Sequence, residues 1–176
     1  MITIGEWLNP TRAIGLLSYG TAATCCGIAW VREKNQRQDW RFAALLMLIE
    51  STLLLDIVFN WRWVLHQWLM DTAQRAHEYQ VRRIPQLIVL MSLAGFLLLG
   101  LLRVGRLFRG RAGFSLGVSG VLLSLVLWCT EVVSLHQVDH VLYYRIGKIM
   151  TVSLLWILAC LMTSIGILSV SHHAEP

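Results

Sequence analysis

Three carboxylates in this sequence stand inside long apolar stretches, where a charge is costly. Glu50 and Asp56 interrupt the second such stretch, and Glu131 interrupts the fourth. On insertion scales, a carboxylate at the centre of a bilayer costs roughly 2.5 to 3.5 kcal/mol. We therefore expect each acid to face the interior of a helical bundle, to carry a proton, or to have a charged partner.

Histidines and other polar residues accompany these acids at one end of the second and fourth stretches. Counted from the start of each stretch, the histidines come at similar depths near one membrane face, and the acids lie deeper. Because the two stretches run in the same direction, we predict a polar site between them. Its ligand or metal candidates are Asp56, His66, Glu131, His136, Asp139 and His140. Its titrating or ion-pairing candidates are Glu50, Asn60, Arg62, Tyr143 and Arg145.

Several kinds of chemistry use these residue types. Imidazole with a carboxylate partner binds transition metal ions, and two facing histidines bind haem b as axial ligands. Acid, histidine and tyrosine near an interface also suit a quinone headgroup or a proton path. A structural interpretation needs no ligand, since Arg62 can pair with Asp56 or Glu131 while the histidines lie at the interface. No spacing matches a reaction motif, so an enzyme is the least favoured class.

The elements that must position these residues are transmembrane helices. A helix needs about 20 predominantly apolar residues to cross the hydrocarbon. Five stretches reach that length, at about residues 13–31, 42–69, 85–102, 114–135 and 146–170. They predict an all-α membrane protein that forms a single bundle over residues 1–176. Small residues recur in the fourth stretch, including Gly117 and Gly120, and predict that this helix packs closely at the centre of the bundle.

The composition supports the same fold class. Hydrophobic residues make up 56% of the chain and charged residues 14%, whereas about 25% of a soluble domain is charged. The net charge of +5 comes from lysines and arginines gathered between the apolar stretches. Membrane proteins use cations in this way as anchors and topology signals, so we expect no nucleic-acid partner.

The basic residues also predict an orientation. The first and third connections are short and densely basic, with Arg32, Lys34, Arg37 and Arg41 in the first and Arg103, Arg106, Arg109 and Arg111 in the third. By the positive-inside rule, these connections are cytoplasmic. The N-terminus is then outside and the C-terminal tail inside, in a multi-pass protein of a bacterial inner membrane.

In its number of spans, its size and its eight tryptophans, the chain resembles the tryptophan-rich sensory protein (translocator) family. The resemblance is one of architecture. The Pro- and Trp-rich motifs of that family do not occur in this sequence, which has three prolines.

Taken together, these features favour a small non-catalytic membrane subunit or binding protein. Its polar site would hold a metal ion or haem b, or would contact a redox partner. Its partners would be the lipid bilayer and another membrane protein or a second copy of the chain. One alternative is a small transporter or proton-coupled carrier that uses Glu50, Asp56 and Glu131, and another is a purely structural or assembly protein.

Overall fold

The computed structural model describes residues 9–36, 40–75, 83–133 and 136–172. Within these ranges, a short antiparallel hairpin accompanies seven helices, which confirms the all-α fold class. The helices are α1 (Pro10–Gln36), α2 (Trp40–Phe59), α3 (Trp61–Arg75), α4 (Arg83–Leu107), α5 (Ala112–Val133), α6 (His136–Leu142) and α7 (Thr151–His172). The hairpin strands are β1 (Arg145–Ile146) and β2 (Ile149–Met150).

Five of these helices contain a segment long and apolar enough to cross a membrane. The segments are Pro10–Arg32, Trp40–Phe59, Ile84–Leu107, Ala112–Val133 and Thr151–Val170. Their number agrees with the prediction, and the protein is a multi-pass membrane protein. The second span is shorter than predicted, because it ends at Phe59 and the following residues form the separate helix α3.

Asn60 causes this break in the second apolar stretch. Its φ angle is 58°, in the left-handed region that ends a helix and that asparagine tolerates better than most residues. Its N–H donates to the Asp56 carbonyl at 2.6 Å, and its own carbonyl accepts from the Trp63 N–H at 3.1 Å. Asn60 therefore ends α2 and begins α3 within a single residue.

The bundle has two distinct ends. At the first, Arg12 at the start of α1 donates from Nη2 to the Val58 carbonyl at 2.5 Å, and Gln86 near the start of α4 donates to the Val133 carbonyl at 3.2 Å. This hairpin end also holds α3, α6 and the β-hairpin. The opposite end, which we call the arginine end, holds Arg32, Arg41, Arg103, Arg106, Arg109 and Arg111.

Helices α1, α2, α5 and α7 form the core of the bundle. Towards the hairpin end, buried residues from all four helices pack together, among them Tyr19, Leu53, Leu127 and Trp156. Towards the arginine end, a second buried cluster contains Cys26, Leu46, Val121 and Ile167. Helix α4 lies outside this core and packs mainly against α5.

The closest contact in the bundle joins α5 to α7 through glycines. A Cβ atom at Gly120 would lie 2.6 Å from the Ala159 carbonyl oxygen, and one at Gly166 would overlap the backbone nitrogen of Gly117. Only hydrogen fits at these positions, so the two backbones can touch. Helix α5 also contacts α2, α3 and α4, which confirms its predicted central position.

We expect Gly166→Ala to destabilise the protein by about 1 to 3 kcal/mol, since the new methyl group forces the two backbones apart. Gly95→Ala is the matched control, because a Cβ there meets nothing within 4 Å. Thermal unfolding in detergent measures both variants. Equal stability of the two would contradict the packing described here.

Candidate functional site

Two of the three predicted intramembrane acids, Asp56 and Glu131, meet at Arg62, which lies in the first turn of α3. Its Nε is 2.8 Å from Asp56 Oδ2 on α2, and its Nη1 is 2.5 Å from Glu131 Oε2 on α5. Asp56 Oδ1 also accepts the backbone N–H of Arg62 at 2.8 Å. One side chain thus joins three helices, and Asp56 satisfies a backbone donor that the start of α3 would otherwise leave unpaired.

Trp156 extends this cluster to α7. Its indole N–H donates to Glu131 Oε1 at 3.1 Å, and the Arg62 guanidinium lies 5.1 Å from the centre of its ring. The ring of Tyr19, on α1, is 6.2 Å from the Trp156 ring. We call Asp56, Arg62, Glu131 and Trp156 the Arg62 network.

The Arg62 network is almost closed to solvent. The side chain of Arg62 is 13% exposed, and those of Asp56 and Glu131 are each 3% exposed. Burial opposes the charge on Arg62, but the carboxylates of Glu131 and Asp56 outweigh it and raise the pKa of the guanidinium. Arg62 is therefore a permanent cation placed between two acids. Each charge is held by an opposite charge and by hydrogen bonds.

His66 lies one helical turn beyond Arg62 on α3. Its Nδ1 is 3.0 Å from the carbonyl oxygen of Val132, and its ring stacks on Trp63 at 5.6 Å between centroids. Since a carbonyl oxygen only accepts, Nδ1 is the donor in this hydrogen bond. His66 and Gln86 together satisfy the last carbonyls of α5, Val132 and Val133.

The other predicted residues of the hairpin end are more dispersed. Asp139 and His140 lie on α6, Tyr143 follows that helix, and Arg145 lies in β1. His140 and Arg145 are exposed, and Tyr143 is 41% exposed. The partial burial of its ring and the charge of Glu131 raise the pKa of Tyr143.

The metal and haem hypotheses concern this same end of the bundle. In the described part of the chain, no three His, Cys, Asp or Glu residues are grouped so that they could hold a metal ion. The side chain of His136 lies outside the described residues. Metal or haem binding at this end stays a prediction.

Glu50 lies apart from the Arg62 network, in the middle of α2, and is fully buried, with 0% of its surface exposed. Its Oε1 is 3.0 Å from the hydroxyl oxygen of Thr163 on α7. Among the residues that the structure describes, Oε2 has no hydrogen-bond partner. Of the three predicted intramembrane acids, Glu50 is the one without an ion pair in the described ranges.

Thr163, Tyr19 and Gln86 take part in these contacts but were not predicted from the sequence. The available signal was the presence of polar side chains within apolar spans, since such groups seek partners in hydrocarbon. Spacing gave no indication of these contacts, because Thr163 and Glu50 are 113 positions apart in the chain.

No protein-family model, no curated protein and no solved structure matches this chain.

We expect Arg62→Met to destabilise the protein by about 3 to 5 kcal/mol, since it leaves two buried carboxylates close together without a cation. Adding Glu131→Gln to Arg62→Met should recover part of that loss, because one of the uncompensated charges is then gone. Thermal unfolding of the wild type, both single variants and the double variant gives the coupling energy. Additive losses would contradict the ion pairing.

Proposed function

We propose that this protein is a non-catalytic subunit of a membrane assembly, and that α4 forms its interface with a transmembrane helix of another protein or a second copy. The observation behind this proposal is that α4 has little contact with the rest of the bundle. Within the protein, 6% of its span is buried, whereas 28% to 50% is buried in the other four spans. Its main contact in the described ranges is with α5. Association of α4 with a further helix would add van der Waals packing that lipid alone does not provide.

The glycines of α4 support this proposal. A Cβ atom at Gly95 or Gly105 would meet nothing within 4 Å, so neither glycine is required by packing inside the protein. Each costs a helix roughly 1 kcal/mol relative to alanine. Glycines on an open helix surface allow a second helix to approach closely, which gives these two a role in an interface.

The Arg62 network supports a non-catalytic role for the predicted acids. Asp56 and Glu131 both pair with Arg62, and Glu131 also accepts from Trp156. Such a closed set of contacts suits a structural role in fixing α3 against the bundle. Trp61, Trp63 and Trp68 on α3 are exposed, and α3 is then held at the hairpin end, where an aromatic belt at a membrane surface would lie.

We expect the double substitution Gly95→Leu with Gly105→Leu to separate the assembly, because two large side chains block close approach to α4. The isolated protein should be no less stable than the wild type, since both positions are open and leucine favours a helix more than glycine does. Mass measurement of complexes released gently from native membranes tests this. The expected change is loss of a stoichiometric heavier species that the wild type shows.

Gly20→Leu on α1 is the matched control, because a Cβ at Gly20 also meets nothing within 4 Å. It should leave the heavier species intact. A wild-type protein that is released only as a monomer without any stoichiometric partner would refute the proposed interface. An assembly of one chain type indicates a second copy, and an assembly of two chain types indicates another protein.

We also propose that the arginine end faces the cytoplasm of a bacterial inner membrane. Arg103, Arg106, Arg109 and Arg111 lie at or just beyond the end of α4, and short connections rich in arginine remain inside. The hairpin end, with the Arg62 network, is then on the outer side.

This orientation predicts opposite results for two reporters fused after Pro176. A fluorescent protein that matures only in the cytoplasm should be bright, and a phosphatase that folds only outside should be inactive. The same reporters fused at the N-terminus should give the reverse pattern. An active phosphatase at the C-terminus would invert the proposed orientation.

A further inference from the structure

We propose that Glu50 is an intramembrane proton-binding site, in which the carboxylic acid donates its proton from Oε1 to the hydroxyl oxygen of Thr163. This inference is independent of the proposed subunit role, because Glu50 belongs neither to α4 nor to the Arg62 network. It concerns a single buried group and the hydrogen bonds that surround it.

The hydroxyl group of Thr163 has one hydrogen and two neighbouring oxygens. Its Oγ1 is 3.0 Å from Glu50 Oε1 and 3.2 Å from the carbonyl oxygen of Ala159. The Ala159 oxygen can only accept. If Glu50 were ionised, Oε1 could also only accept, and Thr163 could satisfy one of these two contacts.

A proton on Glu50 resolves this conflict. The carboxylic acid then donates from Oε1 to Thr163 Oγ1, and the hydroxyl donates its own hydrogen to the Ala159 carbonyl. The contacts of Thr163 with Glu50 and with Ala159 are then both hydrogen bonds. They form one continuous chain in which the Ala159 oxygen only accepts. The close approach of α5 to α7 at Gly120 fixes the position of Thr163, since a Cβ at Gly120 would lie 2.5 Å from Oγ1.

The second oxygen of Glu50 points to the same protonation state. Oε2 is buried and has no partner within the described ranges. An unpaired oxygen of a neutral acid costs about as much as any other unpaired polar group. An unpaired carboxylate oxygen in hydrocarbon costs far more.

Among the residues that the structure describes, the groups around Glu50 supply no positive charge. The titratable side chains that interact with it electrostatically are Tyr19 and Cys26 on α1 and Cys160 on α7. From α5, Ser124 lies beside Cys160. All of these are neutral groups, and the ion pairs found in the described residues belong to Arg62. A proton is therefore the cation that Glu50 can bind with the contacts it has.

Infrared difference spectroscopy of wild type against Glu50→Gln in liposomes tests this proposal. At neutral pH, the wild type should show one equivalent per chain of the carbonyl stretch of a protonated carboxylic acid, and the variant should lack it. This band should persist well above the ordinary glutamate pKa of about 4.3. Glu131→Gln is the control, since Glu131 contacts Arg62 and Trp156 and not Thr163, so the Glu50 band should remain.

Thr163 gives a second measurement that does not depend on the folding of Glu50→Gln. Thr163→Val should move the acid band of otherwise wild-type protein to higher frequency, because the proton loses its acceptor, and Thr163→Ser should restore it. Isotope-labelled glutamate in the wild-type protein identifies the band as belonging to a glutamate.

Two outcomes would overturn the proposal. One is a Glu50 signal made up of carboxylate bands alone at neutral pH. The other is loss of the acid band when sodium ions are added at constant pH, which would make Glu50 a metal-cation site.

Discussion

Hydrocarbon does not solvate charge, and this constraint explains where the polar groups of this protein lie. Asp56 and Glu131 come from different spans, where a carboxylate without a partner is costly. Arg62 allows both to stay, because one guanidinium presents separate donors to the two carboxylates. Glu50, which has no such cation among the described residues, is held by Thr163 instead.

The position of Arg62 depends on a single backbone feature. Asn60 ends α2 in a left-handed conformation, and the chain that follows turns so that Arg62 faces back towards Asp56. A straight helix through residue 69 would place Arg62 and Asp56 six positions apart on one helix, where side chains do not face one another. The break at Asn60 and the ion pairing of Arg62 are therefore two parts of one structure.

The sequence predicted the number of spans and the central position of α5, because apolar length and small residues are local signals. It also drew attention to all three intramembrane acids. The break at Asn60 was not predicted, since the tryptophans that follow it are typical of the aromatic end of a span. Partners such as Thr163 could not be identified, because the contact depends on how α2 and α7 pack, which spacing along the chain does not encode.

The glycine contact between α5 and α7 also limits how the interior of the protein can move. Turning either helix about its long axis would drive a side chain into the backbone of the other, since hydrogen alone fits at Gly120 and Gly166. Glu131 and Trp156, one from each helix, are thus kept in register by backbone shape as well as by their hydrogen bond. A large rearrangement of this protein is therefore expected at its periphery, in α4, and not between α5 and α7.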